Sequence, residues 1–346
     1  MPFCKLADPA GYVACAWDLT ADRVGREYFV GLFKQRLDAI LCPAMSPAAE
    51  LSDPQKAQNA RQCRTELLAR LNSFLADPAA FGRITILRLD AWQGEVFNRY
   101  GIEDAYLTIK DRENAAALAL LPTVCAELDS LSGEAQLMAA IQGLFAGNIF
   151  DLGASATAQA FMAAGPDFFQ VRKSLRPRPW LIDDFDALAK RMLEGPPHRK
   201  AVFFIDNAGG DFVLGATPMM RWLCRRGTRV VLAANQEPAL NDMTIADVEH
   251  WWPKMVAAEP SLGALPIERV STGTGEPLID LSNISEELNT AAADADLVIL
   301  EGMGRGVESN LHARFSCDAI NLAMIKDQAI AQRQGGKVFD LVCRFR

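Results

Sequence analysis

Between about residues 17 and 195, apolar residues recur at three- and four-residue spacing, as in "REYFVGLFKQRLDAIL" (26–41), "AQNARQCRTELLARLNSFL" (57–75), "ENAAALALLPTVCAELDSL" (113–131) and "EAQLMAAIQGLFAGNIF" (134–150). That period predicts an irregular helical bundle, punctuated by Pro43, Pro47, Pro78, Gly101 and a Ser132-Gly133-Glu134 break. "RITILRL" (83–89) is β-rich in composition but lies between helical runs, and its state stays open. After the Pro-rich "EGPPHRK" (194–200) the texture changes, and short apolar runs alternate with amphipathic stretches. "AVFFI", "RVVLAA", "ADLVIL" and "KVFDLVCRF" read as strands, whereas "LGATPMMRWLCRRG", with Pro218 early in it, and "CDAINLAMIKDQAIAQRQG" read as helices. Alternation at this spacing implies crossover connections and a mainly parallel sheet. The expected fold class is therefore α/β: a Rossmann-like α/β/α layer over residues 196–346, preceded by a mainly helical part over 1–195.

In open sheets of this kind, ligands gather beyond the carboxyl ends of the strands. "AVFFI" leads into Asp206-Asn207-Ala208-Gly209-Gly210-Asp211, "RVVLAA" into Asn235 and then Asn241-Asp242, and "ADLVIL" into Glu301-Gly302-Met303-Gly304-Arg305-Gly306. Three strand ends thus deliver acids, amides and glycines to one edge. Asp206, Asn207 and Asp242 make an all-oxygen set of the kind Mg²⁺ or Mn²⁺ prefers. The plainer alternative is that both acid–amide pairs cap the helices after them; Asp211 is the candidate for tying down the helix after the first pair. The glycines allow close approach of an anion to backbone N–H groups, yet "EGMGRG" is neither a Walker A sequence nor a Gly-x-Gly-x-x-Gly. Arg305 has the fork that grips a phosphate and Lys326 the point charge, although surface ion pairing is the ordinary role of each type. Asn148 and Asp151, just past an apolar helix, read equally as a helix end and as site residues. "RPRPWLIDDFD" (176–186) reads as a connecting segment packed by its Trp180.

Composition narrows the chemistry. The 346 residues are 50% apolar, enough for a large core, and the net charge of -8 with 35 Lys and Arg argues against a nucleic-acid partner. Eight scattered cysteines without a Cys-x-x-Cys, and only three histidines, indicate neither a disulfide framework nor a zinc site. The amino-terminal stretch has no basic segment followed by an apolar core, and no apolar run is long enough to span a membrane. A cytoplasmic protein with no membrane partner is expected. No Gly-x-Ser-x-Gly supports a Ser-His-Asp nucleophile.

Taken in order, "YLTIKDRENAAALALLP" (106–122), "GNIFDLGA" (147–154), "RPWLIDDFD" (178–186), "DNAGGDFVLG" (206–215), "RGTRVVLAANQEPALNDMT" (226–244), "EGMGRG" (301–306) and "CDAINLAMIKDQAIAQRQGG" (317–336) resemble the metal-dependent damage-control phosphatases. More narrowly, they resemble the subgroup found alone in plants and as the C-terminal part of certain pantothenate kinases. The resemblance implies a helical part docked on an α/β/α domain with a divalent cation (Mn, Co, Ni or Mg) in the cleft. It places Asp206, Asn207 and Asp242 on the metal ligands, Glu301 to Arg305 on the Glu-Gly-Met-Gly-Arg motif, and Lys326 on a phosphate-contacting lysine. Asn148 and Asp151 match a motif lining the same cleft. The implied substrates are small phosphomonoesters, most narrowly 4′-phosphopantetheine and its oxidised or sulfonated forms. Catalysis would then fall to Asp206, Asp242 and Arg305, with either a water on the metal or the Asp206 carboxylate as nucleophile. A general sugar-phosphate phosphatase and a Rossmann-type nucleotide or S-adenosylmethionine binder are the rival readings. Against the second, the first strand runs into Asp-Asn and not into a Gly-x-Gly turn.

Overall fold

The computed structural model describes residues 1–148 and 168–346 and divides into two compact units, Cys15–Ala105 and Met1–Ala14 with Tyr106–Arg346. The expected division at residue 195 marks the change of sequence texture. Compactness instead groups residues 106–148 and 168–195 with the sheet. Among the described residues, no helix is long and apolar enough to cross a membrane.

The smaller unit is helical: α1 (Arg23–Leu41), α2 (Pro47–Ser52), α3 (Pro54–Ala76) and α4 (Ile86–Arg99). Leu37, Leu41, Ala60, Cys63, Leu67 and Val96 form its core. The open segment "RITILRL" resolves here: the Thr85 side chain caps α4 by accepting from Arg88 N, and Ile86, Leu89, Trp92 and Val96 fall on the buried face. A cap and a 3.6-residue stripe outweigh β-rich composition. Asp90 lies on the same face and accepts from Arg36 at 3.1 Å. Burial pushes its carboxyl up to about 6, the Arg36 guanidinium pulling the other way. Between the unfolded value of about 3.9 and about 6 the folded chain therefore holds the extra proton, so this group's contribution to stability falls as pH rises through that window. Asp90→Asn does not titrate. The difference in unfolding free energy between wild type and this variant is expected to move by about 2–3 kcal/mol against wild type from pH 4 to pH 7. Urea unfolding of both proteins across that range checks it, and a constant difference would overturn it.

The larger unit carries a seven-stranded sheet in the order β1-β7-β6-β5-β2-β3-β4. The strands are β1 (Ile182–Asp183), β2 (Lys200–Phe204), β3 (Arg229–Ala234), β4 (Ile267–Ser271), β5 (Leu297–Glu301), β6 (Asp318–Met324) and β7 (Leu341–Phe345). All neighbours pair in parallel except β6 and β7. The chain leaves β2 toward β3 and β4, then returns to build β5 and β6 on the other side of β2.

Alternate side chains of the central strands feed two cores. Ala201, Phe203, Leu297 and Ile299 join one with residues of α6 (Leu121–Asp129), α7 (Gly133–Gly147), α9 (Phe185–Glu194), α10 (Thr217–Arg225) and α11 (Ile245–Ala258). Val202, Phe204, Val298 and Leu300 join the other with Phe3, Leu6 and α12 (Glu286–Ala292). The result is a mixed α/β fold with helices on both faces. Three more α-helices belong to the described chain: α5 (Leu107–Leu118) before α6, α8 (Phe168–Ser174) after α7, and α13 (Gln328–Arg333) near the C-terminus.

Two expected elements differ. "CDAINLAMIKDQAIAQRQG" is not one helix: Asp318–Met324 is β6, and only Gln328–Arg333 is helical. A strand buried on both faces reads as an unbroken apolar run, which periodicity cannot tell from a buried helix. "RPRPWLIDDFD" supplies β1 as well as a connection, while its Trp180 packs edge-on to Phe145 at 5.1 Å, as expected of an anchor.

Candidate functional site

The site grows from the ends of β2, β3 and β5. Register sets Phe204 beside Ala233 on one side and Leu300 on the other, so Asp206, Asn235 and Glu301 emerge at one level of the sheet. Two loops then lock together: Met243 N donates to Asp206 O at 2.9 Å, Ala208 N to Asn241 O at 2.9 Å, and Asn207 and Asp242 form an isolated antiparallel bridge. Neither acid–amide pair is a helix cap. Thr244 caps α11 in a capping box with Asp247, and the stretch after Asp211 continues as a π-helical turn, Gly210–Ala216. A second π-helical turn, Gly304–Ser309, comes after β5. Such turns are rare and concentrate at functional sites.

Asp206, Asp211 and Glu301 place carboxylate oxygens within 4.8 Å of one another, all buried. Asp211 therefore does not tie down the following helix as expected. Its Oδ2 accepts from Asn207 N at 3.1 Å, Asn207 Nδ2 at 2.9 Å and Asn148 Nδ2 at 2.9 Å. Asn148 Nδ2 also faces Asp206 Oδ2 at 3.2 Å and Glu301 Oε1 at 3.1 Å, and Glu301 Oε2 accepts from Asp206 N at 3.0 Å. Burial first, then the Asp211 carboxylate, hold Glu301 well above the usual carboxylate range, with Lys326 pulling the other way. Like charges this close in a dry site do not all ionise without a cation.

Two basic groups answer the acids. Arg305, 1% exposed, reaches Asp206 Oδ1 with Nη1, and with Nη2 donates to Asp242 Oδ2 at 2.8 Å and Asn235 Oδ1 at 3.1 Å. Lys326, fully buried, donates from Nζ to Asn148 O at 2.7 Å, and its own N–H meets Met303 Sδ at 3.2 Å. Gly302 shows why glycine comes after Glu301. Its φ is +93°, and a Cβ there would lie 2.1 Å from Asp206 Oδ2. No side chain fits without moving the aspartate.

The residues fit a divalent cation. The donor set is all oxygen, and Asp211 Oδ1 and Asn148 Oδ1 are buried without a hydrogen-bond partner among the described residues. The amide of Asn207 presents its NH₂ to Asp206 and Asp211, and the same amide turned over offers a carbonyl oxygen to a cation. So a metal could be held here, with Asp206 central to any arrangement.

Of the residues singled out in the sequence, Asn148, Asp206, Asn207, Asp242, Glu301 to Arg305 and Lys326 come together. Asp242 is joined to Asp206 through Arg305 and is not one of the three clustered carboxylates. Asp151 lies outside the described residues. Asn235 and Asp211 appear in the sequence at the strand-end edge, but it gives neither a place among the ligands or phosphate contacts. Asn235 directly follows β3, so the strand-end rule that flags Asp206 applies to it equally. Asp211 comes after two glycines, a point where a chain can turn back on Asp206.

The chain is similar to known proteins over nearly its whole length. Residues 32–342 match the model of the damage-control phosphatase ARMT1-like domain. It is 37% identical to pantothenate kinase 2 of Arabidopsis thaliana over 380 aligned positions, which cover 99% of this chain and 41% of the relative. It is 31% identical to the 4′-phosphopantetheine phosphatase of Mus musculus, covering 98% of this chain and 48% of that one. The chain thus spans less than half the length of either relative. A crystal structure of a DUF89 family protein from Pyrococcus horikoshii shares the fold, with a TM-score of 0.64 at 18% identity over 91% of this chain and 96% of that one. On the domain match, which takes in residues 32–342, the chain belongs to the damage-control phosphatase ARMT1-like domain family.

Proposed function

We propose that this chain is a divalent-metal-dependent phosphomonoester hydrolase acting on 4′-phosphopantetheine and its oxidised or sulfonated forms. The observation that carries the reading is the buried Asp206–Asp211–Glu301 cluster flanked by Arg305 and Lys326, at the point where β2 and β5 part toward opposite sides of the sheet. That is where ligands bind in Rossmann-like sheets, and the reading treats the parallel strands here as one. The choice of 4′-phosphopantetheine follows the name of the mouse relative, and its oxidised or sulfonated forms follow the family resemblance of the sequence. A small-metabolite partner, not nucleic acid, is in keeping with the net charge of -8, and a cytoplasmic location is part of the same reading.

Asp206, Asn207 and Asp242 would hold the cation (Mn, Co, Ni or Mg), with Asp211 and Glu301 beside Asp206 in the same cluster. When bound, the cation supplies charge neutralisation at the phosphoryl oxygens. Arg305, whose fork rests on Asp206, Asp242 and Asn235, and Lys326, whose ammonium rests on Asn148 O, would supply the fixed positive charge that stabilises the phosphoryl group as charge builds on it. Glu301 to Gly304 would line the phosphate with backbone, and the Asn148 amide fixes the three acids relative to one another. Because the basic and acidic groups are almost wholly buried, these charges act in a low dielectric, where they are strongest.

The test is phosphate release from a panel of phosphomonoesters by chelator-treated protein with Mn²⁺, Co²⁺, Ni²⁺ or Mg²⁺ restored. Metal-dependent release with preference for 4′-phosphopantetheine over hexose and pentose phosphates is expected. Equal turnover of the sugars would favour a general sugar-phosphate phosphatase, and no release with any metal would overturn the reading.

A further inference from the structure

Helix α5 carries a polar face that the proposed chemistry does not use. Lys110 and Asn114, one turn apart, are 1% and 0% exposed, in line with the apolar Ala117. Burying a lysine and an amide costs several kcal/mol that leucines at these positions would not incur. Their partners account for the choice. Asn114 Oδ1 accepts from Gly209 N at 2.7 Å, three residues past Asp206, and its Nδ2 meets Met243 Sδ at 3.7 Å, one residue past Asp242. Lys110 Nζ lies 3.4 Å from the carbonyl of Asp242 itself and pairs with Asp247 Oδ2 at 2.5 Å. Asp247 in turn accepts from Thr244 N at 2.9 Å in the box that starts α11. The fit to the first loop is close: Gly209 has φ +74°, and a Cβ there would lie 2.9 Å from Glu113 Cβ of the same helix.

We infer that Lys110 and Asn114 are positioning residues: one face of α5 clips the loop carrying Asp206 to the loop carrying Asp242 and fixes the separation of these two carboxylates. The inference rests on the proposed function. It assigns a purpose to "YLTIKDREN", whose Lys110 and Asn114 face the two loops. Lys110 holds the Asp242 carbonyl and the Asp247 carboxylate, and Asn114 holds Gly209 N and Met243 Sδ, so truncating either leaves every proposed ligand in the chain but frees one loop against the other. A metal set held by two loops loses affinity when their spacing is no longer fixed.

The experiment uses the full chain as Lys110→Met, Lys110→Arg, Asn114→Ala and Asn114→Ser. Two quantities are read: the Mn²⁺ concentration giving half the maximal rise in thermal midpoint, and kcat and KM for 4′-phosphopantetheine at saturating Mn²⁺. Lys110→Met and Asn114→Ala are expected to raise the half-saturating Mn²⁺ about 10–100-fold and to lower kcat, with KM little changed. Lys110→Arg, which keeps the charge, restores most of both. If Asn114→Ala does not fold, Lys110→Met and Asn114→Ser decide by the same two readouts. Variants that lose thermal midpoint but keep wild-type Mn²⁺ half-saturation and kcat show packing alone and overturn the inference. Wild type that neither responds to Mn²⁺ nor releases phosphate overturns the functional reading, and this one with it.

Discussion

Asp206→Ala is expected to lower kcat/KM for metal-dependent phosphate release by about 10³-fold or more, the scale on which a charged member of a catalytic set is lost. Asp206 sits at the centre of the site. Its side chain faces Asn148, Asn207 and Arg305, and its carboxylate is one of the three that cluster. The main-chain bonds that hold its loop, Asp206 N to Glu301 and Met243 N to Asp206 O, survive replacement by alanine. Arg305 keeps Asp242 and Asn235 as partners, and Glu301 and Asp211 lose a like-charged neighbour. In chelator the thermal midpoint should therefore stay within a few degrees of wild type, while the rise produced by Mn²⁺ should vanish. Phosphate-release kinetics and melts with and without Mn²⁺ check both statements. Substantial retained activity would remove Asp206 from the mechanism.

That aspartate is legible in the sequence because β2 and its exit obey rules that act locally. "AVFFI", "RVVLAA" and "ADLVIL" are short apolar runs bounded by turn residues, and the residues just past such strands in a parallel sheet face a ligand crevice. The same logic delivers Glu301 to Arg305. It fails where burial erases the period, as in Asp318–Met324, and where a strand is short and half exposed, as in Ile267–Ser271 and the two-residue Ile182–Asp183. Lys326 and Asn148 take their assigned roles from the family resemblance, and neither shows its purpose locally. Lys326 Nζ bonds to Asn148 O, 178 residues away in sequence. Asn114 and Gly209 are separated by 95 positions. Nothing in a helical "KDREN" announces that two of its polar residues turn inward, because the stripe they occupy looks amphipathic whichever side is buried.

Arg305 is the residue whose replacement should affect stability and turnover together, in ways that can be separated. Its guanidinium bridges two buried carboxylates, Asp206 and Asp242, with Asn235 as a third acceptor. Arg305→Ala leaves those acids facing one another with no cation between them. Removing one partner of such a buried pair costs about 3–5 kcal/mol. The variant's thermal midpoint in chelator should fall accordingly. A divalent ion bound at the same acids replaces the missing charge, so Mn²⁺ should raise the midpoint of Arg305→Ala by more than it raises wild type. Turnover at saturating Mn²⁺ should nonetheless stay about 10²–10³-fold down, because in the proposed mechanism the guanidinium also stabilises charge on the phosphoryl group, and an ion seated at the acids does not take over that part. Arg305→Lys separates charge from shape. An ammonium restores part of the stability, but a point charge does not span Asp206, Asp242 and Asn235 as a planar group does, and kcat should remain close to that of the alanine variant. Wild-type stability of Arg305→Ala in chelator would refute the bridging role, and wild-type kcat in Arg305→Lys would refute the requirement for the guanidinium plane.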